Sequence, residues 1–376
     1  MGIDDMTEQA KLDYVVGEHP DLPAPGSTSG IVGWLQANLF SSPINIVLSI
    51  FSFYLIYITV PPVLDWAFFS ATFAGEPNKA SCTGDGACWI FIRVWFKFLM
   101  YGRFPVDELW RINLSYFIGG IPLLGLIIPG TPFKKWLAIY LLVVFPIICF
   151  YLFYGGSFGL EIVETPLWGG LFLTLVVGIV GIVASLPIGV VLALGRRSDM
   201  PAVRAVCVAF IELWRGVPLI TVLFMSSVMF PLFMPEGVHI DKLLRALVGV
   251  ALFSSAYMAE VIRGGLQAIP KGQYEAANAL GLSYWKTMGL IIMPQALKLV
   301  IPAIVSTFIG LFKDTTLVSI IGLFDLLGSA QAAVTNPKWL GLSEEAYVFS
   351  AFVFWIFCFS MSRYSVHLEQ KLHTGH

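Results

Sequence analysis

Charged residues are scarce in this sequence. Only 12% of its 376 residues are Asp, Glu, Lys or Arg, whereas 57% are apolar, and the mean hydropathy is +0.81. Ordinary soluble domains contain about 25% charged residues, so this composition excludes that class and indicates a polytopic membrane protein. The 22 basic residues are scattered and the net charge is −2, which argues against a nucleic-acid partner.

The sequence also lacks motifs of common catalytic and metal sites. It has no H-E-x-x-H metal motif and no G-x-x-x-x-G-K-[ST] phosphate loop, and its five histidines fall in tails or loops. We therefore expect no catalytic residue, no metal site and no cofactor bound by this chain.

A cleavable signal peptide is missing as well. The first forty residues are polar and rich in Pro and Gly, as in EHPDLPAPGSTSG, and no basic stretch leads into a short apolar one. We predict that residues 1–40 form a polar tail.

Long apolar runs dominate the remaining sequence. A helix needs about 20 apolar residues to cross about 30 Å of hydrocarbon. Eight runs approach this length and predict eight transmembrane helices, at 43–64, 113–130, 136–154, 167–194, 217–234, 243–262, 298–322 and 345–362. The apolar segment 87–101 contains Arg93 and Lys97, so we predict an interfacial amphipathic helix there rather than a ninth span.

The basic residues of the short loops predict the orientation of the spans. If both termini are cytoplasmic, most of these residues lie on the cytoplasmic side and the long loop after the first span lies outside. That outer loop also contains Arg93, Lys97, Arg103 and Arg111, so the rule is only partly obeyed.

Two of the five cysteines flank the sequence TGDGA in the predicted outer loop. A disulfide between Cys82 and Cys88 suits an oxidising compartment, and two free or buried thiols are the alternative. No histidines lie at metal-ligand spacing from this pair, which argues against a zinc site.

The segment EAANALGLSYWKTMGLIIMPQALK, residues 275–298, reads as a soluble amphipathic helix although it lies between two predicted spans. Good helix formers precede Gly281, and a second helix with an apolar face reaches Pro294. The small residues of the first helix leave its backbone accessible, which favours docking in a groove of a partner protein. A simple interfacial hairpin between two spans is the alternative.

This segment resembles the EAA loop of permease subunits in bacterial ABC importers. The match consists of EAA at 275–277, Gly281 after three intervening residues, then Ile291 and Met293-Pro294, and only Met293 departs from the usual Leu-Pro ending. The resemblance implies that residues 263–297 form a coupling loop that fits a cleft on an ATP-hydrolysing subunit. The implied coupling residues are Tyr274, Glu275, Ala276, Ala277, Ala279, Leu280 and Gly281.

Neighbouring stretches resemble the polar amino acid permeases of these importers. They are ELWRGVPLI at 212–220, AYMAEVIRGGLQAIPKGQYEAANALG at 256–281 and FKDTTLVSIIG at 312–322. The resemblance covers roughly 165–370 and implies a type I importer permease core of about five spans at 161–376. Residues 41–160 are then an extension with about three spans and a periplasmic loop, and the combination resembles the M-type permeases of the general L-amino acid importers, the Aap/Bzt group.

Membership of that family implies an all-α transport subunit of the bacterial inner membrane that is not itself an enzyme. The implied partners are a second homologous permease, two ATPase subunits that bind ATP and Mg, a periplasmic amino-acid-binding protein and membrane lipid. L-Amino acids would cross the membrane by alternating access.

Polar residues within the spans are candidates for substrate contact, because a charge inside a bilayer is costly. On a helix, Ser254, Tyr257 and Glu260 fall within an arc of about 120°. The Glu260 carboxylate could answer the ammonium group of a zwitterion, while hydroxyls or a helix N-terminus answer its carboxylate. The alternative is that Glu260 pairs with Arg263 and only fixes the helix.

The sequence FKDTT forms a second polar group within an apolar span. We predict substrate contact for Asp314, Thr315 and Thr316. In the alternative, Lys313 and Asp314 neutralise one another and the threonine hydroxyls bond back to helix carbonyls.

Two other functions fit part of the sequence. In an ion-coupled secondary transporter or channel, the intramembrane charges would form an ion path and the 275–298 segment would have no coupling role. A membrane scaffold would leave those charges unexplained. Dependence of uptake on ATP or on an ion gradient distinguishes the importer from the secondary transporter.

Overall fold

The computed structural model describes residues 30–82, 84–128 and 130–372. Within these ranges the backbone is helical, with loops and isolated β-bridges but no β-strand. The predicted all-α architecture is confirmed. Most of the predicted tail, at 1–29, lies outside the described residues, as do positions 83, 129 and 373–376.

The helices of the first half are α1 (Gly30–Asn38), α2 (Pro43–Leu64), α3 (Trp89–Tyr101), α4 (Leu109–Ile127), α5 (Lys134–Ile139) and α6 (Phe145–Tyr154). Those of the second half are α7 (Gly170–Arg196), α8 (Pro201–Gly216), α9 (Leu219–Phe224), α10 (Lys242–Ala268), α11 (Lys271–Ala279), α12 (Tyr284–Thr287), α13 (Met293–Leu299), α14 (Ile301–Asp314), α15 (Leu326–Val334) and α16 (Ser343–Leu372). Four π-helical turns, at Asp65–Phe69, Tyr140–Val144, Met225–Met229 and Met288–Ile292, and a 3-10 segment, Thr315–Ile321, continue some of them.

The chain divides into two compact units, Met1–Ala71 and Thr72–His376. In the described part of the first unit, α2 begins where the Ser42 hydroxyl accepts the Asn45 N–H at 3.2 Å, a common N-cap bond. Most α2 side chains are exposed and apolar, and Ser49 is its one buried residue. A helix that is apolar on all sides suits a lipid environment.

Candidate membrane spans account for most of the helical residues. Seven segments among the described residues are long and apolar enough to cross a bilayer: Pro43–Phe69, Val106–Ile127, Lys134–Tyr154, Gly170–Arg196, Lys242–Ala268, Ile301–Ile321 and Ser343–Leu372. A bent pair, Pro201–Gly216 with Leu219–Phe233, is the eighth candidate. The predicted number of about eight spans is confirmed.

The fifth predicted span, at 217–234, corresponds to Leu219–Phe233, the second part of the bent pair. The helical segment Leu219–Phe233 is only about 22 Å long at 1.5 Å per residue, and it meets α8 at an angle of 101°. Pro218 causes the break, because it holds Val217 in an extended conformation and cannot continue a helix from α8. A hydropathy pattern does not reveal such a change of direction.

The predicted interfacial helix at 87–101 corresponds to α3. With 13 residues and a length of about 20 Å, α3 is too short to cross the hydrocarbon core. One face of it is buried against protein, through Ile90, Phe91 and Leu99, which pack with α15 and with the start of α16.

Glycines bring the long helices of the second unit close together. A Cβ at Gly189 of α7 would lie 2.7 Å from Met258 Cγ of α10. A Cβ at Gly181 would lie 3.0 Å from Val250 of α10 and from Leu311 of α14. Small residues allow this approach between membrane helices, so α7, α10 and α14 form the tightly packed centre of this unit.

A buried hydrogen bond fixes α3 and its preceding loop to α16. Glu345, whose exposed fraction is 5%, accepts the backbone N–H of Cys88 at 2.9 Å. Cys82 and Cys88 are disulfide-bonded, which is the first of the two alternatives that the sequence left open. The Phe91 and Trp339 rings also meet edge to face at 5.8 Å. The loop and α3 thus belong to the same packed body as α15 and α16.

Replacement of Glu345 tests this attachment. Glu345→Ala leaves the buried Cys88 N–H without an acceptor, which costs about 1–3 kcal/mol. We expect a lower unfolding temperature, measured as the loss of monodisperse protein after heating in detergent. Glu345→Gln retains a side-chain oxygen and should keep most of the stability. An equal loss in both variants would contradict the role of the hydrogen bond.

Candidate functional site

The short helix α11 forms an elbow between the candidate spans Lys242–Ala268 and Ile301–Ile321. It begins after Pro270 and ends with three backbone hydrogen bonds, from Leu280 to Ala276, from Gly281 to Asn278 and from Leu282 to Ala277. Gly281 has a φ of +69° and an open space where its Cβ would lie. A left-handed conformation, not close packing, is therefore what requires glycine at this helix end.

The predicted coupling residues divide between two faces of this elbow. Ala277 is buried and Tyr274 is partly buried against the spans. The other five are exposed: Glu275, Ala276, Ala279, Leu280 and Gly281. The outer face consequently combines a small-residue backbone surface with one large apolar side chain, since Leu280 has an exposed fraction of 76%.

The exposed apolar surface continues beyond the predicted coupling residues. Trp285 of α12 and Leu290 of the following π-helical turn have exposed fractions of 73% and 72%. We call Leu280, Trp285 and Leu290, together with the exposed small residues of α11, the elbow surface. In the sequence, the signal for this wider surface is the apolar face of the second helix predicted within residues 275–298.

Glu260 of α10 accepts hydrogen bonds from arginines of two helices and lies near an arginine of a third. Its Oε1 accepts Arg196 Nη1 of α7 at 2.7 Å, and its Oε2 accepts Arg263 Nη2 at 2.8 Å. Arg215 Nη1 of α8 is 3.8 Å from Oε2. Arg196 also donates to Glu212 of α8 at 3.0 Å. We call these five residues the glutamate-arginine cluster.

Glu260 pairs with Arg263, as in the alternative to substrate contact. The cluster also contains Arg196, Arg215 and Glu212, whose contacts with one another and with Glu260 the sequence did not predict. Arg263 lies one helical turn away and was visible as a local partner, whereas Arg196 comes from a distant segment. Glu212 contacts Arg196 instead of its sequence neighbour Arg215. A direct contact between Glu260 and substrate stays a prediction.

Arg197, next to Arg196, connects α7 to α10 and α11. Its Nη1 donates to the Tyr274 hydroxyl and to the Leu266 carbonyl, each at 3.0 Å. Its guanidinium also lies over the Tyr274 ring, 5.6 Å from the centroid. The two consecutive arginines thus join the end of α7 to three different helices.

Two of the predicted substrate-contacting hydroxyls are buried and bonded to their own helix. Ser254 is 3% exposed and donates to the Val250 carbonyl at 2.8 Å, and Thr315 is 1% exposed and donates to the Phe312 carbonyl at 2.7 Å. The Thr315 hydroxyl follows the alternative given for the FKDTT threonines, and the Ser254 hydroxyl makes the same kind of bond. This geometry gives no support to their contact with substrate, which stays a prediction.

The other predicted polar residues are accessible. Tyr257 is 38% exposed, and Asp314 and Thr316 are partly exposed. Lys313, which was not predicted to contact substrate, is exposed within the Ile301–Ile321 segment. The ion pairs of the described residues do not include one between Lys313 and Asp314. The structure shows no contact that joins these residues to the Tyr257 face.

Apolar helices, an exposed elbow between two of them and polar groups within the spans together define a membrane permease subunit. The sequence pattern described as binding-protein-dependent transport system inner membrane component matches residues 185–374, and the chain belongs to that family. The resemblance seen in the motifs is thereby confirmed. Among the described residues, no group of three or more His, Cys, Asp or Glu side chains could hold a metal ion.

Similar proteins extend over nearly the whole chain. The inner membrane amino-acid ABC transporter permease protein YhdY of Escherichia coli K12 is 57% identical, over 97% of this chain and 99% of its own length. The glutamate/glutamine/aspartate/asparagine transport system permease protein BztC of Rhodobacter capsulatus is 38% identical, over 94% and 96%. A crystal structure of an amino acid ABC transporter with histidines is 30% identical, over 54% of this chain and 92% of its own, with a TM-score of 0.48.

Glu260→Gln distinguishes pairing from substrate contact. The change removes the carboxylate that faces three arginines, and we expect a loss of about 1–2 kcal/mol. This is below the 3–5 kcal/mol of a fully buried pair, because the side chains retain some access to water. The unfolding temperature in detergent measures the loss.

The double variant Glu260→Gln/Arg263→Gln supplies the control. If Glu260 only neutralises arginines, removing one arginine should restore part of the lost stability and of the uptake. Recovery of stability without any recovery of uptake would instead support contact between Glu260 and the substrate.

Proposed function

We propose that this chain is one of two permease subunits of an ATP-driven importer that carries L-amino acids across the bacterial inner membrane by alternating access. The amino acid substrate is supported by the names of its relatives and by the polar groups within the spans. The second subunit would be a homologous permease, and a periplasmic binding protein would deliver the substrate.

The elbow surface is the observation that carries this proposal. A transporter that needs no soluble motor has no evident use for an exposed helix with Leu280 and Trp285 turned outward. A groove on an ATPase subunit can enclose such a helix, because the alanines of α11 allow a close approach. Two ATPase subunits would bind ATP and Mg, and this chain would bind no cofactor.

Charge supports a cytoplasmic location for the elbow. Arg196, Arg197, Arg204, Lys271 and Lys286 all lie in the connections at this end of α7 and α10, as the positive-inside rule requires. With eight spans, both termini would then lie in the cytoplasm. The disulfide-bonded loop before α3 contacts the start of α16, and this end of α16 would then be the oxidising, periplasmic end.

The accessible charges of α14 support a zwitterionic substrate. Lys313 and Asp314 lie close to the middle of the Ile301–Ile321 segment, where an exposed charge requires water or a counter-charge. An ammonium group and a carboxylate side by side can answer the two charges of an amino acid. Tyr257 adds an accessible hydroxyl group, and Thr316 adds a hydroxyl that is partly exposed and donates to the Lys313 carbonyl at 2.9 Å.

Gly281→Val tests the docking of an ATPase subunit on the elbow. A β-branched residue is strained at a φ of +69°, so the turn should deform while the spans remain inserted. We expect normal amounts of protein in the membrane, but at least tenfold less ATPase subunit in the purified complex and a parallel fall in uptake.

Two control variants accompany Gly281→Val. Gly281→Asn should retain most ATPase binding, because asparagine tolerates the left-handed conformation. Glu275→Gln should weaken the association only slightly, since it keeps the length of the side chain and one oxygen. Full ATPase binding and full transport by Gly281→Val would remove the main support for the proposed coupling role.

Asp314→Asn tests the substrate site. The variant loses the charge that would face an ammonium group, so uptake per assembled complex should fall at least fivefold, measured with a radiolabelled amino acid. Ser254→Ala is the control, because its hydroxyl is buried and bonded to its own helix, and it should transport normally. An equal effect of the two changes would contradict this assignment.

A further inference from the structure

Tyr274 faces the spans rather than the outer side of α11. Its side chain packs partly buried in the apolar cluster that also contains Ile262, Leu266 and Ile292. Its hydroxyl accepts the Arg197 N–H at 3.0 Å and donates to the Leu266 carbonyl at 3.3 Å. One phenol group therefore bonds to the end of α7 and to the last turns of α10.

Arg197 contacts both Tyr274 and the Leu266 carbonyl. Its Nη1 donates both to Tyr274 and to Leu266, and its guanidinium stacks over the Tyr274 ring. Each of the three groups thus touches the other two. We call this set of three contacts the Arg197–Tyr274 contact. If α11 moves relative to α7, its hydrogen bonds must break or the end of α7 must move with α11.

Few other polar bonds hold α11 to the spans. Among the described residues, the other side-chain hydrogen bond of α11 is from Gln295 to Gln273, exposed and 3.3 Å long. Ala277 adds apolar packing, but its side chain is a single methyl group. The Arg197–Tyr274 contact is consequently the main directional link between α11 and the helices above it.

A second set of bonds connects this link to the remaining spans. Arg196 precedes Arg197 in the chain and bonds to Glu260 of α10 and Glu212 of α8. A shift of the α7 end that is imposed through Arg197 must therefore also displace Arg196. The glutamate-arginine cluster can redistribute its partners in response, because Glu260 lies within 4 Å of three arginines.

We propose that Arg197 and Tyr274 are positioning residues that transmit the movement of α11 to α7 and α10, and so couple ATP hydrolysis to transport. This inference rests on the proposed docking of an ATPase subunit at the elbow surface. Tyr274 is thereby assigned to the inner side of the coupling loop, whereas the exposed residues of α11 form its outer side.

Tyr274→Phe separates coupling from folding and docking. The variant retains the ring, its apolar packing and its stacking under Arg197, and loses only the hydroxyl and its two hydrogen bonds. In the assembled complex, reconstituted in liposomes with the binding protein and an amino acid, ATP hydrolysis and uptake are measured together. We expect normal ATPase subunit content, hydrolysis within twofold of wild type and a fall of at least fivefold in uptake per ATP hydrolysed.

Arg197 variants provide the second test. Arg197→Gln should give the same fall in uptake per ATP, and Arg197→Lys a smaller one, because a lysine retains the charge but not the planar fork. Tyr364→Phe is the matched control, since Tyr364 is a partly exposed tyrosine of α16 for which the structure shows no hydroxyl hydrogen bond. It should leave the ratio unchanged.

The results separate this inference from the proposed function. An unchanged ratio of uptake to hydrolysis in both Tyr274→Phe and Arg197→Gln would overturn the inference, and so would loss of the ATPase subunits from both. If Gly281→Val also kept its ATPase subunits, the proposed docking would fail as well. Loss of ATPase binding in Gly281→Val alone, together with a reduced ratio in Tyr274→Phe, is the combination that supports both.

Discussion

The fold at the elbow end depends on the neutralisation of one carboxylate. Glu260 lies on an apolar helix with a side chain that is 15% exposed, where an unpaired charge would be costly. Arg196 and Arg263 bond to it, and Arg215 approaches it. Three helices are thereby held together at the level where the chain turns into α11.

The helical architecture could be predicted because its cause is local. An apolar run long enough to cross a bilayer must satisfy its backbone hydrogen bonds within itself, which leaves a helix as the only solution for a single segment. The same reasoning predicted a span at 217–234 but not its angle to α8: Pro218 interrupts the helix, and the two parts meet at 101°. The hydropathy of a segment does not depend on the direction of the chain, so Pro218 was the only sequence signal for this bend.

The parts of the candidate site that could be predicted are those whose interacting residues are close together in the sequence. The turn at Gly281 and the pair of Glu260 with Arg263 depend on residues a few positions apart, and both are present. Arg196 and Arg197 were visible only as loop charges, because their partners are 64 and 77 residues away. Hydroxyl groups such as that of Ser254 have two ways to be satisfied, and their sequence pattern does not distinguish a helix carbonyl from a substrate.

The two ends of α7 are held by different kinds of interaction. At its start, the Gly170 N–H donates to the Phe324 carbonyl at 2.8 Å, and the buried Thr174 hydroxyl accepts the Leu326 N–H of α15 at 3.0 Å. Buried packing of this kind has one low-energy arrangement. At its other end, partly exposed arginines share two carboxylates, and these ion pairs retain some contact with water, which weakens each of them relative to a fully buried pair. The start of α7 is therefore fixed by buried hydrogen bonds within packed helices, whereas the position of its other end depends on charged groups that remain in contact with water.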